Sequence, residues 1–233
     1  NGHFLREFEE RLAEYLGVKH AVCVSSCTVG LVLTCKALEF RCEVIVPSFT
    51  FMATVHPVVW NGATPVFVDV DADTWNIDPQ RVEEAITPQT TAIIGVHLLG
   101  TPASVEALED IARRHNLKLV FDAAHGFGAL HEGKPLGRYG DAEVFSATPT
   151  KVLVAVEGGV VATNNDEVAR RVRVMRNYGN PGNYDSEIAG LNARMPEFNA
   201  ILGLDSLTRL EHHAIRRNQV AKVYCQRLGA LPG

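Results

Sequence analysis

The 233-residue chain lacks the usual cues for a metal centre or a disulfide framework. Its five cysteines, at positions 23, 27, 35, 42 and 225, are odd in number and follow no CxxC or zinc spacing. Cys23, Cys35 and Cys42 sit in apolar or element-edge contexts, which suits free thiols in a reducing cytoplasm. No apolar run approaches the roughly 20 residues needed to span a bilayer, and no charged-then-apolar leader pattern opens the sequence. Lysine and arginine number 22 against 27 acidic residues, a net charge of −5, so no basic field invites nucleic acid or an anionic membrane. GxxxxGK is missing, so the chain has no Walker loop; GxGxxG is missing too, which demotes a dinucleotide reading. No metal, no nucleic acid and no membrane are therefore expected. The sequence starts at Asn1 and stops at "RLGALPG" without an obvious finish, so a piece of a longer protein is expected.

What the sequence does contain is a rhythm. "HFLREFEERLAEYL" places Phe4, Phe8, Leu12 and Tyr15 on one helical face, and Gly17 ends the pattern. β-rich runs follow at 20–25, 43–47, 65–70, 91–97, 118–124, 142–147 and 159–164. Helical stretches fall between the first five, at about 28–39, 51–61, 78–86 and 102–115, and Pro57 should kink or shorten the second. Such alternation predicts an α/β three-layer sandwich with a mostly parallel seven-stranded sheet, helices covering both faces. The last three strands lack long helices between them, so strand order or direction is expected to change there. A helix at 165–176, a glycine-rich irregular stretch and one long helix from about Pro196 to Leu228 complete the chain. The organisation expected is a large domain over 1–195, then 196–233 leading into a smaller C-terminal domain that is largely missing.

Ligands of an open parallel sheet sit at the carboxyl ends of its strands. "SSCTVG" (25–30) leads from a strand into a helix, where the amides and the hydroxyls of Ser26 and Thr28 would face a phosphate. An ordinary N-cap is the competing reading. Asp122 closes the strand "KLVFD", and a carboxylate there is expensive to bury unless paired, for example with the cationic nitrogen of a heterocycle. His125 is close enough to share that site, whereas the other histidines read as half-buried polar residues and His97 only weakly as a pocket residue. In "FSATPTK" Ser146 ends a strand and Lys151 follows. The segment from Ala147 to Val156 holds no acid, so desolvation would favour a neutral, nucleophilic amine. Gly158 and Gly159 would let backbone come close. Each feature alone has a bland explanation. As an ordered set they fit pyridoxal 5′-phosphate (PLP), which needs a lysine for its aldehyde, an acid for its ring nitrogen and an anion cradle. Phe51 would supply an aromatic face for the ring.

From about residue 4 to its end the chain resembles the nucleotide-sugar aminotransferases of the DegT/StrS type, fold type I PLP enzymes. The resemblance is carried by "FEERLAEYLGVKHAVCVSS", "EVIVPSFTF", "NGATPVFVDVDADTWNIDP", "FDAAHGFGALHEGKPLG", "FSATPTK" and "GLNARMPEFNAILGL". It implies that Lys151 bonds to the cofactor aldehyde and Asp122 pairs with the pyridinium nitrogen. It places His125 near the ring, and Ser146, Thr28 and the amides around Cys27 on the phosphate, with Phe51 stacked. Asn192, helped by Arg194, would reach the phosphate of the neighbouring subunit, which implies a homodimer with shared active sites. The implied activity is amino transfer from glutamate to a nucleotide-linked keto-deoxysugar. A sugar dehydratase of the same fold is an alternative that Lys151 argues against, since that branch typically carries His there. An aminocyclitol aminotransferase and a non-catalytic PLP-binding regulator stay open. Cys27 where the family has Gly or Ala, "TKV" for "TKN" and Asn199 for Gln are departures from the family pattern.

Overall fold

The computed structural model describes residues 2–183 and 185–229. Asn1, Tyr184 and residues 230–233, the tail of the expected C-terminal segment, lie outside the described residues. In chain order the elements are α1 (His3–Leu16), β1 (His20–Val24), α2 (Cys27–Ala37), β2 (Glu43–Pro47), α3 (His56–Trp60) and β3 (Thr64–Val68). They continue with α4 (Pro79–Ala85), β4 (Thr90–Val96), α5 (Val105–His115), β5 (Lys118–Asp122) and a small hairpin of β6 (Leu130–His131) and β7 (Lys134–Pro135). The rest are β8 (Ala142–Ser146), β9 (Gly159–Thr163), α6 (Asp166–Met175), α7 (Glu197–Thr208) and α8 (Leu210–Leu228).

The seven-stranded sheet has the order β1-β9-β8-β5-β4-β2-β3. From β8 to β3 every neighbouring pair is parallel, and β9 runs antiparallel to both β8 and β1. The reversal falls within the helix-free stretch where a change was expected, but the missing helix alone does not decide it: β5 and β8 stay parallel with only the β6–β7 hairpin between them. Side chains of the central strands alternate between two apolar layers. Val44, Val46, Ala92, Ile94, Val120 and Val144 face α2, α3 and α6, while Ile45, Ile93, Leu119 and Phe121 pack against α5 and Phe145 and Val160 against α1 and α7. A sheet covered on both faces accounts for its continuous apolar strands. It is the three-layer sandwich expected from the alternation.

Two local expectations are corrected, and a third, the shortening of the 51–61 helix at Pro57, is met. The buried stripe of α1 is Leu5, Phe8, Leu12 and Leu16, whereas Phe4 and Tyr15 are 42% and 38% exposed. The aliphatic residues fill the core, and Tyr15 stacks its ring on Phe127 at the rim, centroids 5.3 Å apart. The stretch 51–61 is a short 3₁₀ turn at Met52–Thr54 followed by α3, with Pro57 in the first turn of α3. The proline fits there because first-turn amides have no intrahelical acceptor. The single long C-terminal helix is two helices. At Arg209 (φ −102°, ψ 4°) the ladder breaks: the Arg209 amide turns to Ser206 O at 3.1 Å, and the Thr208 hydroxyl takes Asp205 O at 2.7 Å. A threonine hydroxyl on a helix carbonyl competes with the backbone ladder, and no Gly or Pro announces the break. Helix α7 lies on α1, burying Ala200 against Phe8 and Leu12; on α8 only Leu210 is buried. No described helix is long and apolar enough to cross a membrane.

Candidate active site

The carboxyl ends of β1, β5 and β8 meet the start of α2 around a cavity of about 270 Å³. Seven of the expected residues line it together: Ser26, Cys27, Thr28, Phe51, Asp122, His125 and Ser146. Ser26 is the N-cap that the sequence left as a rival reading. Its backbone is extended and its hydroxyl oxygen accepts from the Val29 amide at 3.2 Å. The two readings coexist, because the cap leaves the Cys27 and Thr28 amides with no acceptor among the described residues. Two free amides at the positive end of an eleven-residue helix form an anion site. Gly159, the first residue of β9, allows the tight fit behind them: a Cβ there would stand 2.5 Å from Ser26 C and O and 2.6 Å from Cys27 N.

Asp122 is only 5% exposed. Its Oδ2 accepts from the Thr54 hydroxyl at 2.7 Å and its Oδ1 from the Ala124 amide at 3.0 Å. Burial pushes its pKa up, opposed by those two hydrogen bonds and by His125 and His97. The site therefore holds a desolvated carboxylate with room for a cation. His125 titrates lower than an ordinary histidine, first through burial and then through the positive charge of Lys151. Cys27 Sγ donates to Val144 O at 3.6 Å, and burial, then the Asp122 charge, holds its thiol protonated.

Lys151 is not on the wall of this cavity. It lines a neighbouring, wider one of about 910 Å³, and His125 borders both. The charges of Lys151 and Asp122 nonetheless converge on the same two residues, His125 and Cys27. The lysine loop is tied from the C-terminal helices: Asn199 donates to Glu157 O at 2.7 Å, Ser206 accepts from Val154 N at 2.9 Å, and Arg217 donates to Lys151 O at 2.8 Å. Phe51 is 68% exposed at the cavity edge. Asn192 and Arg194 stand apart. Asn192 pairs in a β-bridge with Asn177 and lines a separate depression with Arg194, while Arg194 bonds Asn177. Gly158, expected at the site, faces Met195 instead.

Sequence reasoning missed Thr54, Thr148 and Glu157. Thr54 is fully buried on a partner 68 residues away, a contact that no local pattern encodes. His97 borders the cavity, but its ring is committed elsewhere: Nε2 pairs with buried Glu143 at 3.2 Å and Nδ1 accepts from Ala103 N at 3.0 Å. His20, His115 and His131 hydrogen-bond to the surface carboxylates of Asp166, Glu83 and Glu106. All five cysteines are free, and no cluster able to hold a metal occurs among the described residues.

A model of the DegT/DnrJ/EryC1/StrS aminotransferase family matches residues 1–233. The chain belongs to this family. It is 41% identical over 234 residues to GDP-perosamine synthase of Caulobacter vibrioides, an alignment covering 99% of this chain and 63% of the relative. Among solved structures, DesI in the presence of its TDP-sugar product superposes with a TM-score of 0.92 at 46% identity, covering 100% of this chain and 60% of that one. S. venezuelae DesV, in complex with a ketimine intermediate, gives 0.95 at 40% identity over 100% and 64%. The chain thus spans about three fifths of the length of these relatives. The fold is that of PLP-dependent sugar aminotransferases.

Proposed function

We propose that the protein transfers an amino group from glutamate to a keto-deoxysugar carried on a nucleotide, with pyridoxal 5′-phosphate as cofactor. The observation that carries this reading is Asp122: a buried carboxylate facing the same cavity as a helix N-terminus with two free amides, beside the loop of Lys151. A cationic ring nitrogen and a phosphate are the two charges such a cavity accepts. The residues fit the group, and membership of a PLP-dependent family supports it.

When bound, the cofactor supplies an aldehyde that condenses with amines and a ring that draws electrons from the adjacent carbon. Asp122 would hold a proton at the ring nitrogen, and Phe51 and His125 would line the place of the ring. The Cys27 and Thr28 amides, with the hydroxyls of Ser26, Thr28 and Ser146, would hold the phosphate. Lys151 would be the amine that takes the aldehyde, and its amino group, when free, would be the acid–base group at the reacting carbon. Asn192, distant from its own cavity, serves the phosphate of a neighbouring subunit in a homodimer. Residues 1–195 form the cofactor domain and 196–233 lead toward a second one. The exposed apolar residues of α8, Ile215, Val220, Val223 and Tyr224, support that role.

The test supplies full-length protein with PLP, ¹⁵N-glutamate and 4-keto and 3-keto sugars on several nucleotides, and follows the label by mass spectrometry. Label in an amino sugar is the expected result. Uptake of PLP with no labelled product from any keto sugar contradicts the activity and favours a binding-only protein.

A further inference from the structure

The cavity is tuned from a direction that the functional reading leaves unused. Asp122 Oδ2 accepts from Thr54 Oγ1 at 2.7 Å, and Thr54 Oγ1 lies 2.7 Å from Thr50 Oγ1. A hydroxyl has one proton. Thr54 spends its proton on the carboxylate, so Thr50 must donate to Thr54, and the chain runs in one direction: Thr50 to Thr54 to Asp122. Thr54 is 0% exposed, so water cannot stand in for its hydroxyl. The Ala124 amide fixes the other oxygen at 3.0 Å. Together these donors orient the carboxylate and favour its charged form against the burial that opposes it.

We propose that Thr54, supported by Thr50, is a positioning residue that holds Asp122 charged and aimed at the cofactor's ring nitrogen. The inference rests on the functional reading, and it assigns to the turn before α3 a role in cofactor capture. Thr54 touches no cofactor; its effect passes through the carboxylate. A hydrogen bond to a charged acceptor is among the stronger kind in a protein interior.

The experiment titrates PLP into full-length apoprotein and reads the dissociation constant from the visible absorbance band. Thr54→Val keeps the shape and removes the donor, and its affinity is expected to fall about tenfold. Thr54→Ser restores it to within about twofold, and Thr50→Val, acting at one remove, costs about threefold. In an Asp122→Asn background the penalty of Thr54→Val disappears, as coupling through the carboxylate requires. A penalty that persists there marks simple packing and overturns the proposal, as does wild-type affinity in Thr54→Val. Should Thr54→Val fail to fold, Thr50→Val decides: unchanged affinity overturns the proposal. A wild-type protein that takes up no PLP, or a Lys151→Ala protein that keeps the visible band, defeats the functional reading and this inference with it. Normal behaviour of those two beside an unaffected Thr54→Val defeats this inference alone.

Discussion

Gly158 and Gly159 are adjacent in sequence, and adding one methyl group to each should have opposite consequences. At Gly159 the new Cβ would stand 2.5 Å from Ser26 C and O and 2.6 Å from Cys27 N. Carbon contacts settle near 3.5–4.0 Å, so strand β9 and the start of α2 must separate by about 1 Å. Both partners are backbone, and β9 is paired on both sides, so neither can rotate away. Overpacking of this kind costs about 1–3 kcal/mol. The upper end applies here, offset by about 0.5 kcal/mol of unfolded-state entropy. At about 2–4 °C per kcal/mol for a domain of this size, Gly159→Ala should lower the apoprotein Tm by roughly 5–10 °C. It also moves the free amides of the anion cradle, so PLP affinity should fall more than about tenfold. At Gly158 the Cβ crowds Met195 Cε at 2.4 Å, the end of a flexible thioether that can swing aside, while Ala147 Cβ at 3.6 Å and Ala155 Cβ at 3.8 Å are in ordinary contact. Gly158→Ala should cost under about 1 kcal/mol and leave PLP affinity unchanged. Differential scanning fluorimetry and a PLP titration read both effects. A Gly159→Ala protein with wild-type Tm and affinity would refute the close approach of β9 to the cradle.

Two further expectations concern titratable groups. In the apoprotein, burial raises the Asp122 pKa above its unfolded value. The stability tied to that carboxyl is therefore complete below pH ~3.9 and shrinks as pH rises through the raised folded pKa. Asp122→Asn should raise the apoprotein Tm at pH 8, with the gain closing toward pH 4, while weakening PLP binding; a gain independent of pH contradicts the assignment. Of the five cysteines, only Cys42 and Cys225 are exposed, and burial holds Cys23, Cys27 and Cys35 above ordinary thiol values. Iodoacetamide under native conditions should label those two alone, and early modification of Cys27 by mass mapping would contradict the buried cradle.

The sheet was legible in the sequence because each of its seven strands is an apolar run bounded by turn residues, and covered strands carry that signature regardless of context. A change of order or direction among the last three strands was legible in their missing helices, but its place at β9 was not, since β5 and β8 lack a helix between them too and still run parallel. The α1 stripe was misread because Phe4 and Tyr15 match a helical period as well as Leu5 and Leu16 do, and only the shape of the core separates them. The break at Arg209 depends on a threonine side chain choosing a carbonyl, which periodicity does not register. In the site, Asp122, Ser146 and the 26–28 turn were legible because strand ends and helix starts are local features. Thr54 was not, since its role exists only where two distant segments meet. Lys151 was singled out in the sequence, but its place on the wall of the adjoining cavity follows from the path of the 147–158 loop, which α7 and α8 tie down.

Covalent attachment of the cofactor at Lys151 is read most directly by peptide mapping. Full-length protein loaded with PLP is reduced with borohydride, digested and analysed by mass spectrometry. A phosphopyridoxyl mass on the peptide containing Lys151, absent from Lys151→Ala, is the result expected. The same adduct on a different lysine, or an unaltered visible band in Lys151→Ala, would contradict it.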